Sequence, residues 1–466
     1  MRTLFYWTTF ILCVFIAGCS QSGSGILFDG TNTGKWATNG NVSADNGILT
    51  LKGSDAKAVL KNGKYKHFEL TLELRTTAGG KGFIGFHTDQ SAGKGYRVAI
   101  NNDRNDPVWW KMTGSLLSVR NLTKSFVKEN DWFQMSIRVA GNFVTVTING
   151  EPVVEYIEPA EPYRIEPNEA ALLSEGTFAL VSNGSGEIQL KTIAVNVIQP
   201  AEITPDIIMG QLTEAIDEQK DDIIKLHQED FPVLDYHIHI KGKLTNESAA
   251  QLSRKVGINY AIAPNCGIGF PITDDAGVLA FLETSRKLPF ILAMQAEGRE
   301  WVTTFSPEVR NEFDYVFTDA LTFSDHKGRR TRLWMPREVW IDDEQAYMDL
   351  IVDKICEVLQ EPMDMYVNPC FLPTQMADRY DEFWTEARMN KFVEAMAKSG
   401  KALEINNRYK LPNKAIIQKA KAAGVKFTFG TNNADERDVG LMEYAIRMKK
   451  ECGITAADMY KPKIKI

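Results

Sequence analysis

The sequence has little of what marks several common protein classes. It contains only six histidines and six cysteines in 466 residues, and its formal net charge is −7. A nucleic-acid-binding protein needs a basic face that releases counterions from phosphates, so this composition argues against nucleic acid as a partner. The cysteines beyond the N-terminal segment show no Cys-x-x-Cys zinc spacing, and four buried thiols are favoured over two disulfides; they are Cys266, Cys356, Cys370 and Cys452.

The sequence also lacks an apolar run long enough to span a bilayer, which takes about 20 residues. Its longest run, LFYWTTFILCVFIAG, follows Arg2 and has the layout of a secretory signal peptide. The segment FIAGC that ends at Cys19 resembles a bacterial lipobox. This resemblance predicts a signal peptide at residues 1–18, a lipid anchor on Cys19, a linker at 19–25 and a place on the bacterial cell envelope. The alternative is an ordinary signal peptide with a chance cysteine.

The first half of the chain predicts an all-β domain. Residues 26–198 alternate apolar and polar side chains in short runs such as HFELTLELRT, GYRVAINN and GTFALVSN, separated by Gly, Asn and Asp. The sequence Ile148-Asn149-Gly150 is a hairpin-type turn signal. Many short strands with close turns are typical of a sandwich or jelly roll. We therefore expect an all-β jelly-roll sandwich over 26–198.

From residue 231 the pattern changes to strands and helices in alternation. Seven candidate strands, among them PVLDYHIHI, PFILAMQAEG and KFTFGTNN, alternate with helical runs such as QAYMDLIVDKICEVLQ. Such alternation produces parallel strands joined by crossover helices, which predicts an α/β (β/α)7 barrel over residues 231–466. Residues 199–230 are predicted to be a linker with an exposed amphipathic helix.

Polar residues follow the ends of the predicted barrel strands, where the active site of a β/α barrel lies. His237 and His239 end the first strand, and residues one apart share a face, about 6.5–7 Å apart along the strand. Glu297 ends the third strand and His326 follows the fourth. Imidazole and carboxylate ligands that converge from neighbouring strands can hold an ion such as zinc. We expect these four residues to hold one divalent metal ion; the alternative is a solvated histidine pair.

The C-terminal half resembles the PHP (polymerase and histidinol phosphatase) superfamily over roughly residues 231–460. FPVLDYHIHI is similar to the family's first strand with its His-x-His motif, MQAEGRE to the strand with its bridging glutamate, here Glu297, and ALEINN to its sixth strand. The chain departs from the family where Asn368 stands for a histidine, Asn432 for a metal-binding aspartate and Ala434 for a histidine. The resemblance therefore implies one metal ion, zinc, manganese or another, rather than a trinuclear centre.

The N-terminal half resembles the 3-keto-disaccharide hydrolase domain, a concanavalin-like jelly roll. ILFDGTNTGKWA is similar to its opening turn before a tryptophan, here Trp36, and NDWFQMSIRVAGNFVTVTINGEPV to its Trp-Asn to Leu-Asn-Gly hairpin. Arg97 replaces an acidic residue in the segment GYRVAI. That replacement leaves two alternatives for this half, a catalytic domain and a sugar-binding or packing module.

The two resemblances imply a carbohydrate-active hydrolase or lyase that cleaves glycosides, including glycosides oxidised at C3 of the sugar. Such a reaction needs a base, and Glu404, Asp325 and Glu300 are the carboxylates predicted near the barrel mouth. The substrate is predicted to contact five other residues at strand ends or in the loop 325–340, which are Arg299, Asn368, Arg408, Asn432 and Trp334.

Two other functions remain open at the sequence level. The barrel can be a PHP-type metal-dependent phosphoesterase that carries a carbohydrate-binding module, and the basic residues around its mouth favour an anionic substrate. Alternatively, the chain is a non-catalytic glycan-binding lipoprotein whose barrel has lost its metal ions. The partners predicted in every case are a carbohydrate and, through the lipid on Cys19, a membrane.

Overall fold

A computed structural model describes residues 23–203 and 215–465 of the chain. The predicted signal peptide and Cys19 lie outside the described residues. Within these residues, no helix has the length and apolar character that a membrane crossing requires. The four cysteines of the C-terminal half are free; Cys266 and Cys370 are buried, whereas Cys356 and Cys452 are only partly buried.

Eleven antiparallel strands form the N-terminal domain. Their spans are β1 Gly25–Phe28, β2 Trp36–Asp45, β3 Ile48–Leu60, β4 Phe68–Thr76, β5 Lys81–Thr88, β6 Tyr96–Asn101, β7 Phe133–Ala140, β8 Phe143–Ile148, β9 Glu151–Ile157, β10 Thr177–Ser182 and β11 Glu187–Val197. The strands are hydrogen-bonded in the order β6-β5-β10-β3-β11-β4-β7-β8-β9, with β1 on β11 and β2 on β3.

The alternation in the sequence explains how this sheet encloses a core. In β4 every second residue from Phe68 to Thr76 is buried while the residues between them are partly exposed. The buried faces of the strands pack Phe, Leu, Ile and Val side chains into one cluster that includes Trp36. Burial of apolar area stabilises a fold by roughly 25 cal/mol per Å². The antiparallel sandwich predicted from the period of two is confirmed.

The C-terminal domain is built on parallel strands. Its strands are β12 Leu234–Ile238, β13 Asn259–Ile262, β14 Asn265–Cys266, β15 Ile291–Ala296, β16 Tyr315–Thr318, β17 Thr322–Ser324, β18 Arg330–Arg332, β19 Met365–Tyr366, β20 Ala402–Asn406 and β21 Phe427–Gly430. The parallel sheet runs in the order β12-β13-β15-β16-β19-β20-β21, with β14 on β15, while β17 and β18 form a separate hairpin.

Helices connect these strands. They are α1 Asp222–Gln228, α2 Asn246–Val256, α3 Asp275–Ser285, α4 Trp301–Thr304, α5 Pro307–Arg310, α6 Glu344–Val358, α7 Thr374–Ala377, α8 Tyr380–Phe383, α9 Glu386–Ser399, α10 Lys414–Ala422 and α11 Glu443–Cys452. Sequence signals set their ends: Thr245 accepts a hydrogen bond from the backbone at the start of α2, and Gly257 adopts a left-handed conformation at its end.

Hydrogen bonds between the first and last strands bring the parallel sheet close to a barrel. The backbone N–H of Asn432 donates to the carbonyl of His237 at 2.8 Å. The N–H of Thr431 donates to Asp235 at 3.0 Å, and that of His239 donates to Asn433 at 2.8 Å. The predicted β/α barrel is thus confirmed as a nearly closed parallel barrel with helices, and the C-terminal ends of its strands meet at one mouth.

The linker helix differs from its prediction. An exposed amphipathic helix is expected in 199–230, but the described helix α1 buries Ile224 in the sandwich core and Leu226 in the barrel core. His227 is fully buried and donates from Nε2 to the carbonyl of Gly257 at 2.8 Å. The predicted exposure is wrong for α1, because this helix has two apolar partners, one on each domain, and is packed between them. Residues 204–214 of the predicted linker lie outside the described residues.

Candidate functional site

The first barrel strand directs its polar side chains into the barrel. Successive residues of a strand point to opposite faces, so Asp235, His237 and His239 share the inner face of β12 and its continuation. All three are buried. Asp235 lies deepest in the network, where it accepts hydrogen bonds from the backbone and hydroxyl of Thr431. Burial raises the pKa of the Asp235 carboxyl to about 6.

His237 links two neighbouring polar residues at the centre of the mouth. Its Nδ1 lies 2.6 Å from Glu404 Oε1 and its Nε2 lies 3.0 Å from Gln295 Oε1. The amide nitrogen of Gln295 donates to Glu297 Oε1 at 2.9 Å. Gln295 therefore presents its oxygen to the ring, and both nitrogens of His237 are engaged by side-chain oxygens. The imidazole is held in one orientation.

Glu404 is occupied as a hydrogen-bond acceptor. Its Oε1 accepts from His237, and its Oε2 accepts from the backbone N–H of Asn368 at 2.8 Å and from Asn406 Nδ2 at 2.9 Å. Gly430 of β21 lies directly against it, because a Cβ at this glycine would sit 2.1 Å from Glu404 Oε1. Only glycine at position 430 leaves room for the contact between Glu404 and His237. Glu404 therefore acts by positioning His237, and its oxygens are not free to take a proton from a substrate.

Two carboxyl groups stand close together on the strands next to Gln295. Glu297 follows β15 and Asp319 follows β16, and both are largely buried. Burial and the neighbouring charge of Asp319 raise the pKa of Glu297 to about 8. Burial also raises the pKa of Asp319. Two carboxyl groups with this like-charge interaction cannot both ionise easily, which favours a protonated Glu297 beside an ionised Asp319.

The hydrogen bonds of this carboxyl pair leave one oxygen of Glu297 uncommitted. Glu297 Oε1 accepts from Asn265 Nδ2 at 2.6 Å and from Gln295 Nε2 at 2.9 Å. Among the described residues no donor or acceptor contacts Oε2. Asp319 accepts from the backbone N–H of Leu321 at 3.0 Å and from Asn368 Nδ2 at 2.9 Å. The pair thus presents a free carboxyl oxygen at the mouth of the barrel.

Asn368 connects Asp319 on one side of the mouth with Asn406 and Asn432 on the other. Its side-chain oxygen accepts from Asn406 Nδ2 at 3.1 Å and from Asn432 Nδ2 at 2.8 Å, while its amide nitrogen donates to Asp319. Asn368 and Asn432 both have positive φ, at 47° and 46°. Asparagine tolerates this conformation better than most residues. The structure therefore places both predicted substrate-binding asparagines at the centre of the site.

The four predicted metal ligands do not come together. His326 is exposed in the turn of the β17–β18 hairpin, and His237 is committed at both nitrogens. His239 donates from Nδ1 to the carbonyl of Ala263 at 2.7 Å, which leaves its Nε2 free, and burial holds its pKa well below the usual range. Across residues 23–203 and 215–465, no group of three or more His, Cys, Asp and Glu side chains could hold a metal ion.

The expected four-ligand set therefore does not fit this structure, and the inclusion of His326 is corrected. The physical reason is the end of the fourth strand. The run DYVFTDALTF predicts a fourth strand over residues 314–323, but β16 ends at Thr318, and the chain then turns into the β17–β18 hairpin. The residue that reaches the mouth from this strand is Asp319 instead of His326. A divalent ion stays a prediction without a ligand set in the described part of the chain.

The same early strand end moves Asp325 away from the carboxyl pair. Both oxygens of Asp325 bind Arg329 within the hairpin, at 2.8 Å to its backbone N–H and 2.7 Å to its Nε. Glu300 accepts from the backbone N–H of Arg299 at 3.0 Å, and its own carbonyl accepts hydrogen bonds from Thr303 and Thr304 of α4. Neither carboxylate joins the mouth network through any contact of the described residues, so the structure offers Glu297 and Asp319 for these roles.

Three other predicted substrate contacts have different surroundings. Arg299 is committed to Glu361, with both carboxylate oxygens at 3.0 Å, and to the carbonyl of Asp319 at 2.7 Å. Trp334 is partly buried against the barrel core. Arg408 is exposed and makes one long contact, 3.4 Å, to the carbonyl of Asn432. Of the three, only Arg408 remains available to a ligand at the mouth.

The sandwich contains a second buried polar cluster, in which Arg164 and Glu218 form an ion pair. Arg164 donates to Glu218 Oε2 at 2.8 Å, to the hydroxyl of Tyr96 at 2.7 Å and to that of Tyr156 at 2.8 Å. Glu218 comes from the linker and also accepts from Tyr156 at 2.7 Å. The side chains of Arg164 and Glu218 are 4% and 2% exposed. The linker thus closes this cluster from solvent.

Gln295 and Asp319 are the functional candidates that sequence reasoning missed. Asp319 follows the apolar run YVF-Thr318 at a strand end, and this signal is visible in the sequence. The apolar stretch continues to Phe323 and therefore predicts a longer strand, but its last residues form part of the β17–β18 hairpin instead. Gln295 lies near the end of the third predicted strand, but the sequence does not indicate that its amide oxygen contacts a histidine.

Comparison with protein families finds one match, which covers residues 23–196. These residues match the model of the 3-keto-alpha-glucoside-1,2-lyase-like domain. The N-terminal domain is therefore 3-keto-disaccharide hydrolase-like, and this match connects it with carbohydrates. No curated protein matches the chain.

Two solved structures are similar to somewhat more than a third of the chain. A proposed glycosyl hydrolase from Parabacteroides distasonis is 17% identical with a TM-score of 0.34, covering 38% of this chain and 95% of that one. A carbohydrate-binding module from Bacillus subtilis is 12% identical with a TM-score of 0.26, covering 35% of this chain and 95% of that one.

Proposed function

We propose that this protein is a carbohydrate-active hydrolase or lyase that acts on glycosidic bonds, with its chemistry at the barrel mouth. The observation that carries the proposal is the carboxyl pair Glu297 and Asp319, buried at the ends of adjacent strands with raised pKa values. A protonated and an ionised carboxyl side by side supply the general acid and general base that glycoside cleavage requires. The family match of the sandwich supports a sugar substrate.

A glycoside oxidised at C3 gives each member of this pair a defined task. The ketone at C3 acidifies the proton on C2, and the ionised carboxylate removes that proton. The electron pair of the C2–H bond forms a C1–C2 double bond while the bond from C1 to the glycosidic oxygen breaks. The protonated carboxyl donates its proton to the departing oxygen. Addition of water across the double bond then gives net hydrolysis.

The residues around the pair position it and the sugar. His237, fixed by Glu404, holds the oxygen of Gln295, which leaves the Gln295 amide to bind Glu297. Asn368 binds Asp319 in the same way. His239 presents a neutral Nε2 that can accept a hydrogen bond from a sugar hydroxyl. Trp340, 38% exposed beside the hairpin with the guanidinium of Arg329 at 4.5 Å from its ring, offers a face for stacking on a sugar.

A substrate panel tests the proposal. Purified protein is incubated separately with a 3-keto-glycoside, the unoxidised parent glycoside and a phosphate ester of the same sugar. We expect release of the aglycone from the first or second substrate and none of phosphate from the third. Release of phosphate alone identifies the phosphoesterase alternative, and no turnover of any substrate supports a non-catalytic glycan-binding protein.

We also propose that the barrel is a relative of the PHP superfamily and that the protein is held on the bacterial envelope by a lipid on Cys19. His237-x-His239 and Glu297 at the expected strand ends support the first statement. The sequence FIAGC supports the second. Detergent phase partition of the protein expressed in bacteria tests the anchor. We expect the wild type in the detergent phase and Cys19→Ala in the aqueous phase; equal partition of the two contradicts it.

A further inference from the structure

The sandwich and the barrel enclose a cavity at the end of the barrel that lies away from the carboxyl pair. Its volume is about 620 Å³. One wall is formed by residues 124–126 and the β8–β9 turn, and the other by α2 and the segments that precede β15 and β16. Leu292 near the start of β15 lines the cavity, whereas Glu297 follows the same strand at the mouth. Five residues of a strand span roughly 16 Å, so the cavity is separate from the proposed catalytic site.

Polar contacts between the two domains hold the walls of the cavity in place. Arg254 of α2 donates from Nε to Glu155 Oε2 of β9 at 2.9 Å, and these side chains are 14% and 8% exposed. Lys124 of the sandwich donates from Nζ to the carbonyl of Phe290, just before β15, at 2.7 Å. Walls that are fixed before a ligand arrives reduce the entropy that binding costs. The volume is also in the range of roughly 300–1,000 Å³ that is typical of small-molecule sites.

Lys124 has spare hydrogen-bond donors in this cavity. The residue is only 8% exposed and lines the cavity. An ammonium group has three N–H donors, and among the described residues only the carbonyl of Phe290 accepts from it. Burial lowers the pKa of Lys124 and the charge of Asp314 opposes this effect, but the carboxylate of Asp314 accepts from backbone N–H groups instead. Two donors of Lys124 therefore remain for the oxygen atoms of a ligand.

The charges around the cavity balance. Its cationic side chains are Lys124, Arg254, Arg286, Lys287 and Lys465, and its carboxylates are Glu151, Glu247, Glu312 and Asp314. Arg286 pairs with Glu312 within the lining, and Arg254 pairs with Glu155 beside it. With Glu155 included, the cations and the carboxylates are equal in number. A lining of this kind favours a ligand without net charge.

The rest of the lining combines apolar surface with side-chain amides. Phe126, Pro152 and Leu288 supply apolar surface, and Asn246 and Gln251 present their amides from α2. Neither amide has a hydrogen-bond partner among the described residues. A sugar ring has apolar C–H groups on its face and hydroxyl groups on its edge, and each hydroxyl both donates and accepts. This lining can therefore contact both parts of a sugar.

We propose that the interdomain cavity binds a neutral oligosaccharide, with Lys124 and Gln251 contacting its hydroxyl groups and Phe126 packing against a ring. The site goes beyond the proposed function, because a sugar held here is remote from Glu297 and Asp319 and is bound without being cleaved. The family match covers the sandwich wall alone, whereas this site needs the barrel wall as well. Its role is to hold the protein on a glycan chain.

Hydrogen exchange of the whole chain locates the bound sugar without relying on turnover. The probes are maltotriose, cellotriose and laminaritriose, with tri-galacturonate as a charged sugar of similar size. We expect at least one neutral trisaccharide to slow amide exchange in residues 124–126, 148–153 and 246–254, and to bind more tightly than the charged sugar in calorimetric titration. Glu297→Gln should show the same protection, since the mouth takes no part in this binding.

Matched variants test the named contacts. Lys124→Met removes the donors, and Gln251→Trp fills part of the cavity from the partly exposed side of α2. We expect each to weaken binding by about ten-fold or more, the usual effect of losing a hydrogen bond to a charged group. Lys57→Met is the control for the first, because Lys57 also donates to a backbone carbonyl of the sandwich, that of Ser91, but outside the cavity. Lys255→Trp, at an exposed position of α2 outside the lining, is the control for the second.

Three results overturn the proposal. The first is that no neutral trisaccharide protects the cavity segments, including the case in which protection is confined to the strand ends at the mouth. The second is tighter binding of tri-galacturonate than of every neutral sugar. The third is an affinity that survives in both cavity variants or falls equally in the two controls. Catalytic activity of the mouth, whether present or absent, changes none of these readings.

Discussion

The sandwich and the barrel both bury charged side chains, but they do so in opposite ways. In the sandwich, Arg164 and Glu218 carry opposite charges, and two tyrosine hydroxyls satisfy their remaining hydrogen-bonding groups. In the barrel, Glu297 and Asp319 are both carboxyl groups that interact unfavourably when both are ionised, and Glu297 Oε2 has no partner among the described residues. A paired buried cluster is typical of structure, whereas like charges held together shift pKa values and are typical of active sites.

This difference indicates different roles for the two domains. The sandwich cluster is closed by a residue of the linker, so its buried charges hold the linker on the domain. The barrel cluster is open at the strand ends, where a substrate can reach it. The sandwich matches a carbohydrate-active family, yet the reactive groups that the structure brings together lie in the other domain.

The largest expected effect is a loss of catalytic activity, and it is tested by substituting one carboxyl in each domain. Glu297→Gln keeps the hydrogen-bond acceptor but removes the transferable proton, and we expect kcat/KM to fall by about 10²–10⁴-fold, the usual contribution of a general acid. Glu158→Gln changes a carboxyl of the sandwich whose pKa is also raised by burial. It should change kcat/KM less than about two-fold.

Steady-state kinetics of the two variants on the substrate found by the panel provides the measurement. A large loss for Glu158→Gln together with a small loss for Glu297→Gln would place the chemistry in the sandwich and reverse the comparison.

The sandwich pair should instead control stability. Arg164→Met leaves the Glu218 charge buried and unpaired, so we expect a loss of about 3–5 kcal/mol in the free energy of unfolding. Arg164→Met/Glu218→Met removes both charges and should recover much of that loss. Urea denaturation of the wild type and the two variants measures these free energies of unfolding. If the single and double variants are equally destabilised, the pair contributes through packing and the assignment fails.

A smaller effect is expected where the backbone of β21 approaches the barrel site. Gly430→Ala places a methyl group against Glu404 and His237 Cβ, the latter at 2.8 Å. We expect a destabilisation of about 1–3 kcal/mol, as for other overpacked sites, and a loss of activity because His237 shifts. Gly424→Ala is the control, since a Cβ there meets no atom within 4 Å, although its φ of +78° adds some backbone strain. Activity retained in Gly430→Ala contradicts the positioning role of Glu404.

The barrel site also predicts how stability depends on pH. The folded state raises the pKa of Glu297 from 4.5 to about 8. Between these values the folded protein holds a proton that the unfolded chain has lost, so the stability of the folded state falls as pH rises through this window. Glu297→Gln removes the effect. Its stability relative to the wild type should therefore increase by about 4 kcal/mol from pH 5 to pH 8.5, which thermal unfolding at both pH values measures.

Much of the architecture follows from the sequence because its signals are local. The alternation in β4 and the helix that ends before Gly257 are set by neighbouring residues. The burial of α1 did not follow, since it depends on apolar surfaces contributed by two domains far apart in sequence. The sequence of such a helix shows one apolar face, and it does not indicate that a second domain covers the opposite face.

The sequence predicts where the site residues lie better than it predicts what each of them does. Each of these residues lies in the C-terminal half of a parallel strand or just after it, which places it at the mouth: His237, His239, Glu297, Asn368 and Glu404. Their roles depend on contacts between strands, such as Glu404 with His237, that spacing along the chain does not reveal. The short β16 explains the remaining difference, because three or four residues decide whether Asp319 or a residue of the hairpin reaches the mouth.

The most direct test of the account is the ionisation of Glu297 in the wild-type protein. Carbon-13 labelling of glutamate side-chain carboxyls, followed by titration and assignment with Glu297→Gln, reports the charge of this group without any substrate. The account predicts that one glutamate remains protonated at pH 7 and titrates near pH 8, and that its signal is missing from the variant. A Glu297 carboxyl that is fully ionised at pH 6 would contradict the raised pKa of this group and, with it, the assignment of the chemistry to the barrel mouth.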